Sequence, residues 1–453
     1  MTTDMTSGKP LPIILRFMLP VLGGNLFQQF YNLVDSIIVG QYLGLDPLAS
    51  VGSCSSIIFL VIGFCTGLCS GFSIPISQKF GARRESDLRK YMANGWYLAG
   101  AISVVLTALT VLSCAGILHA MHTPDNLFDD AWHYQVIIFW GIPFTILYNY
   151  ASGIIRAIGD SRTPFLFLVF SAILNIFLDL FCIINLKMGV SGAAVATIIS
   201  QAVSGVLSLL YMKWKFPVLS LQKEEARFDR KKCAVMLGMG LPMGLQFSIT
   251  AIGSIMLQSA VNLLGTVFVA SYAAALKIKT VFICTGDALG NTMAIYCGQN
   301  LGAGKKARIR AGIADALKIG LALSLTILAV IWLFAGKLTL LFMDASHTEV
   351  IRDVCLFLHC SSFFYIILMI LSIFRNSIQG MGFSRSAMVS GVVEMIARTF
   401  SSLVLIPALG YIMVCFTDPL AWCSAAAFLL LLFRSVMKKL NFSAAAPAPS
   451  VHP

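Results

Sequence analysis

The chain has 453 residues, 58% of them hydrophobic and only 11% charged, with a formal net charge of +12. Soluble domains carry about 25% charged residues, and apolar runs of spanning length recur from one end to the other, which excludes a soluble globular protein and indicates an all-α integral membrane protein. Lys and Arg fall mostly in short loops between apolar runs, a pattern of membrane topology, so no nucleic-acid partner is expected.

The opening residues, MTTDMTSGKPLP, lack the layout of a cleaved signal, and the first span is expected to serve as its own targeting signal. Cutting the chain at Gly, Pro and charge clusters predicts twelve transmembrane helices, at about 13–39, 48–78, 91–118, 131–157, 164–186, 190–214, 233–263, 267–299, 311–336, 350–380, 386–409 and 415–437. An even number places both ends on one side. The loop after the second span carries Lys79, Arg83, Arg84, Arg89 and Lys90. The one after the sixth carries seven basic residues from Lys213 to Lys232, and the one after the eighth carries Lys305, Lys306, Arg308 and Arg310. The opposite loop HAMHTPDNLFDD and the turns around Asp46 and Asp418 have no Lys or Arg, so both termini are expected in the cytoplasm. The twelve cysteines lie nearly all inside apolar runs without paired metal-site spacing and read as small core residues.

The two halves superimpose in sequence. Ser50, Gln78, Gly81, Ala82 and Arg89 meet Ser271, Gln299, Gly302, Ala303 and Arg310 at an offset of 221, and Gly159, Ser161 and Arg162 meet Gly382, Ser384 and Arg385 at 223. Two six-helix repeats of like orientation imply two lobes around a central cavity. The expected division is an N-terminal lobe at 1–211, a basic linker at 212–232, a C-terminal lobe at 233–440 and a Pro-rich disordered tail at 441–453.

Seven motifs in this order resemble the multidrug and toxic compound extrusion (MATE) family: LPVLGGNLFQQFYNLVDSIIVG, SQKFGARRESDLRKY, GIIRAIGDSRTP, LNIFLDLFCII, MGVSGAAVATIISQ, GLPMGLQFSITAIGSIMLQSAVN and GQNLGAGKKARIR. The resemblance covers about residues 9 to 440. It implies a secondary antiporter in the plasma membrane that admits H+ or Na+ and expels bulky, often cationic and aromatic compounds by alternating access between its lobes. Relatives in the wider superfamily flip lipid-linked oligosaccharides, which is the alternative. No enzymatic activity, no cofactor beyond the coupling ion and no oligomer are expected; the partners are the bilayer and small organic substrates.

Charges inside spans are costly and usually face an interior or a wet cavity. Asp35 lies in the first span, and Asn175 and Asp179 stand i, i+4 on one face of the fifth. Together with the Thr197 hydroxyl of the sixth, they form a set suited to a hard cation or to a proton shared between carboxyls. The resemblance implies that Asp35, Asn175, Asp179 and Thr197 hold the coupling cation; the bland alternative is that Asp179 only hydrogen-bonds within a packed bundle. Tyr31 and Asn32 flank Asp35 as supporting partners or as packing. In the C-terminal half, residues 233–263 contain no Asp or Glu and 354–380 contain Arg375 as the one charge, so a second cation site there is not expected. That half instead has Lys277, Lys279 and Asp287 in the eighth span and Glu394 and Arg398 in the eleventh. The last two, at i, i+4, form either a structural ion pair or part of a substrate route. Asp287 needs a partner from elsewhere, either Arg398 or cavity water. GQNLGAGKK lacks the first Gly and the hydroxyl residue of a phosphate loop. His119, His122 and His133 lack metal spacing, and no metal beyond Na+ is expected. Pro20 and Pro242, early in the first and seventh spans, are candidate bending points.

Overall fold

The computed structural model describes residues 3–121, 123–342 and 346–442. The first repeat comprises α1 (Pro10–Leu43), α2 (Leu45–Gly81), α3 (Glu85–Ala120), α4 (Asp125–Trp140), α5 (Ile142–Ala157), α6 (Arg162–Leu180) and α7 (Val190–Lys215). The second comprises α8 (Arg230–Asn262), α9 (Thr266–Gly302), α10 (Lys306–Thr339), α11 (Thr348–Ser362), α12 (Tyr365–Gly380), α13 (Ser384–Phe400), the short α14 (Ile406–Leu409) and α15 (Tyr411–Phe442). α4 with α5 and α11 with α12 are single spans broken by bends of 44° and 52°, so the twelve expected spans are all present and two of them are kinked. The first break falls at Gly141, beside Pro143, whose ring removes a backbone donor. Helical pairing continues through Pro20 and Pro242.

The duplication extends to backbone detail. α6 and α13 each run into a five-residue π turn, at Phe181–Asn185 and Ser401–Leu405. Left-handed residues recur in register, Gly44 with Gly265, Arg83 with Gly304, Gly159 with Gly382 and Gly189 with Gly410. Asp418 is not a turn residue as the sequence suggested. Gly410 makes that turn, and Asp418 lies seven residues inside α15, 4% exposed and ion-paired.

The lobes meet near the end of the bundle that bears the basic loops, called here the basic end. Gln78 Nε2 donates to the Gly380 carbonyl and Gln299 Nε2 to the Ala157 carbonyl, both at 2.9 Å. These are one interaction made twice, since the donors are offset by 221 and the acceptors by 223. A Cβ on Gly81 would lie 1.9 Å from the Gln299 carbonyl oxygen, and one on Gly302 would lie 1.8 Å from that of Gln78. Only glycine allows backbones so close, which is why small residues line tight helix contacts in membranes. The first helix of each repeat also crosses the seam. Ile14 and Phe17 of α1 are buried in the core of the second lobe while Ile38 and Val39 stay with the first; Met236 of α8 joins the first core while Leu257 and Val261 stay with the second. Packing at the basic end therefore does not follow the boundary between repeats.

Two extramembrane segments are fastened at that end. The strap before α1 joins the lobes: Thr3 N donates to the Gly159 carbonyl, and Met5, wholly buried, donates to Gln299 Oε1 and accepts from Asn300 and Arg308. The inter-repeat linker lies along α3, where Arg89 holds Glu225 through two hydrogen bonds of 2.6 and 2.9 Å and Asn94 accepts from Asp229 N. The Arg89 guanidinium, with help from the Gln222 amide, pulls the Glu225 carboxyl down from 4.5 to about 2. Asp229 caps α8 through the backbone amides of Lys231 and Lys232. Lys306 donates to the Leu440 carbonyl, so both ends of the described chain lie at the basic end. The expected tail falls largely outside the described residues.

Candidate functional site

α6 positions two polar groups one turn apart on a face turned into the first lobe, and both Asn175 and Asp179 are fully buried. Asp179 comes two residues before the π turn, a local irregularity often found at functional positions in helices. α7 brings Thr197, whose Oγ1 accepts from Asn175 Nδ2 at 3.4 Å. α1 brings Asp35, whose carboxyl stands within hydrogen-bonding reach of that of Asp179. All four residues proposed from the sequence thus converge from three helices.

The composition of this cluster determines its chemistry. Asp35 Oδ1, Asn175 Oδ1 and both oxygens of Asp179 are sealed from solvent with no hydrogen-bond donor. Buried acceptors left unpaired are expensive, because the water they lose is not replaced. Carboxyls that face each other also repel when both are ionised. A shared proton relieves both costs, and so does an oxygen-liganded cation such as Na+. Tyr134 of α4, 7% exposed, packs within electrostatic range of both carboxyls. Sequence reading missed it, since a tyrosine in the amphipathic start of a span carries no signal of its own. Tyr31 lines the adjoining cavity, whereas Asn32 is exposed and contributes no lining.

That cavity, of about 220 Å³, is lined largely by the first lobe and by α9 and α12 of the second. Pro20 and Gln28 of α1, Ser73 of α2, Asn149 and Arg156 of α5 and Asn291 of α9 give it mixed polar and apolar walls. α1 therefore borders both the acidic pair and the cavity.

The second lobe uses the matching stretch of α13 differently. Arg398 is held by Asp418 Oδ1 at 2.8 Å and Glu394 Oε2 at 3.4 Å, and Lys279 Nζ binds Asp418 Oδ2 at 2.5 Å. Arg375 closes the chain on Glu394 and donates to Ser390 Oγ at 3.0 Å. The i, i+4 pair expected between Glu394 and Arg398 is present, as part of a longer buried network whose other anion is Asp418. Arg398 is therefore engaged, and the cation that acts on Asp287 is Arg375. Asp287 is exposed, as is Lys277, whose ammonium lies 5.8 Å from the centre of the Phe342 ring. Lys279, Glu394 and Arg398 are buried and ion-paired, which suits structure better than substrate contact. His119 stacks on Phe128, His133 Nδ1 meets the Asp129 carbonyl, and His122 lies outside the described residues.

Comparison with known proteins agrees with this architecture. The MatE family model matches twice, over residues 20–181 and 242–404. Among curated relatives, the probable multidrug resistance protein YoeA of Bacillus subtilis is 28% identical, covering 76% of this chain and 77% of its own. The probable multidrug resistance protein NorM of Thermotoga maritima is 25% identical, covering 82% and 80%. Among solved structures, a multidrug resistance MATE family transporter in an outward-facing conformation superimposes with a TM-score of 0.91 at 23% identity, covering 97% of this chain and 99% of its own. With the family pattern carried in both repeats and the fold matched from end to end, the chain belongs to the MatE family of multi-pass membrane transporters.

Proposed function

We propose that the protein is a plasma-membrane antiporter that exports bulky organic, often cationic compounds in exchange for inward H+ or Na+, with Asp35, Asn175, Asp179 and Thr197 as the coupling site. The observation that carries this reading is the group of sealed oxygen acceptors with no donor, adjoining a cavity that shares α1 with it. A cation entering this group cancels one of the two carboxylate charges and so removes the repulsion between them; its departure restores that repulsion and shifts the packing of α1. Because α1 also borders the cavity and crosses to the second lobe, occupancy at Asp35 and shape at the seam are mechanically joined. The basic end is the cytoplasmic one on the excess of Lys and Arg in its loops. With the lobes joined there, the cavity is read as closed toward the cytoplasm, and the working unit is a monomer.

The test is dye efflux from proteoliposomes with proton and sodium gradients imposed independently. Asp35→Asn and Asp179→Asn, each folded by size exclusion, are expected to lose gradient-driven export by at least about tenfold, the scale on which a transition coupled by 1–3 kcal/mol responds. Full gradient-driven export by both variants would remove the site assignment.

A further inference from the structure

One deep cation has no part in the coupling site or in the buried network. Arg156 is the penultimate residue of α5, in the wall of the first-lobe cavity near the basic end. Lys279, Arg375 and Arg398 in the second lobe are each tied to a carboxylate. The Arg156 side chain makes no hydrogen bond or ion pair among the described residues, and the titratable groups beside it are the neutral side chains of Tyr148 and Cys69, with no carboxylate. Its nitrogens are not among the sealed unpaired atoms, so the guanidinium faces open cavity. An unneutralised charge within a membrane protein is costly and by default marks a site.

The surroundings define what it can take. Ser73, Ser77, Asn149 and Ser161 share the cavity wall with Arg156, and Asn291 and Asn376 reach it from the second lobe. These are neutral groups able to donate hydrogen bonds, and none brings a negative charge that would satisfy the arginine internally. Gly153, one turn before Arg156, is forced by the closeness of α2, since a Cβ there would lie 2.3 Å from Ser73 Oγ. Arg156, one turn on, shares with that hydroxyl a pocket built from several helices. A planar guanidinium matches a single carboxylate through two parallel hydrogen bonds. One arginine does not match the several charges of a lipid-linked pyrophosphate.

We propose that Arg156 is an anion subsite of the transport cavity, and that the compounds exported include organic ions bearing a carboxylate alongside an aromatic or cationic body. This rests on the reading of the cavity as the substrate path. It extends that reading by giving the cavity two poles, with an acidic pair beyond Tyr31 and a guanidinium at the basic end.

The test uses binding without any ion gradient, so its outcome is independent of the coupling assignment. Fluorescence anisotropy compares rhodamine 110, which carries a free carboxylate, with rhodamine 123, its methyl ester, on the full-length protein in nanodiscs. The wild type is expected to bind the carboxylate dye about tenfold more tightly, the scale of one hydrogen-bonded charge pair. Arg156→Gln is expected to bring the ratio near one, and Arg156→Lys to leave about threefold, because the charge remains while the fork is lost. Equal binding of the two dyes by the wild type overturns the proposal, as does an unchanged preference in folded Arg156→Gln. If that variant does not fold, Arg156→Lys decides: a reduced ratio supports the subsite and an undiminished one overturns it.

Discussion

Asp179 and Arg398 stand in matching stretches of α6 and α13, each just ahead of a π turn, yet their surroundings are opposite. Arg398 is neutralised by Glu394 and Asp418, while Asp179 faces another acid and has no donor. The first arrangement fixes structure, and the second leaves a demand for a cation. Removing one partner from a buried ionic network leaves an uncompensated charge, at a cost of about 3–5 kcal/mol. Asp418→Asn strands Lys279 and leaves Arg398 only Glu394, which it shares with Arg375, so it is expected to lower thermal stability in nanodiscs far more than Asp287→Asn, whose side chain is exposed. Equal effects of the two substitutions would show that the network is not holding the second lobe. Sequence spacing revealed the partners within one helix, Asn175 with Asp179 and Glu394 with Arg398. It could not reveal Asp418, because a carboxylate near the start of an apolar run looks the same whether it ends a loop or enters a core.

At the scale of elements, apolar length and turn chemistry made all twelve spans legible. The bends at Gly141 and between α11 and α12 were not, since each continuous apolar run reads as one straight helix until neighbours dictate where it breaks. The docked segments were also hidden. A basic linker and a polar N-terminal stretch look solvated in sequence, and only the fold reveals Arg89 and Asn94 as their anchors. The linker carries a pH signature. Glu225 has its carboxyl lowered from 4.5 to about 2 by Arg89, so the pair's contribution is complete above about pH 4.5 and is lost as pH falls toward 2. Proteolytic cleavage of the linker is expected to accelerate across that window in the wild type, using an acid-active protease. In Glu225→Gln the rate is expected to be raised already at neutral pH and to change little with acidification; a wild-type profile in the variant would contradict the role given to the pair.

For the molecule as a whole, the two repeats meet through reciprocal contacts, with glycines 81 and 302 against the carbonyls of Gln299 and Gln78. Gly302→Val has no room at this seam and is expected to hold the basic end apart. Maleimide labelling of a cysteine placed at Ser77, which lines the cavity, should then rise several-fold from the basic side. Gly100→Val, at a position with open space around its Cβ, should leave labelling unchanged. The repeat offsets made the pairing of equivalent residues visible from sequence, but not the crossing of α1 and α8 between cores, which follows from packing alone. In the proposed coupling, that crossing makes α1 the element through which cation occupancy near Asp35 alters the seam. The most direct measurement of this coupling is to count cation entry against dye export in the same proteoliposomes, with H+ and Na+ followed separately. One of these cations is expected to enter in fixed proportion to exported dye, and this counterflow is expected to disappear in Asp179→Asn. Dye export that proceeds in the wild type with no counterflow of either cation would contradict the coupling.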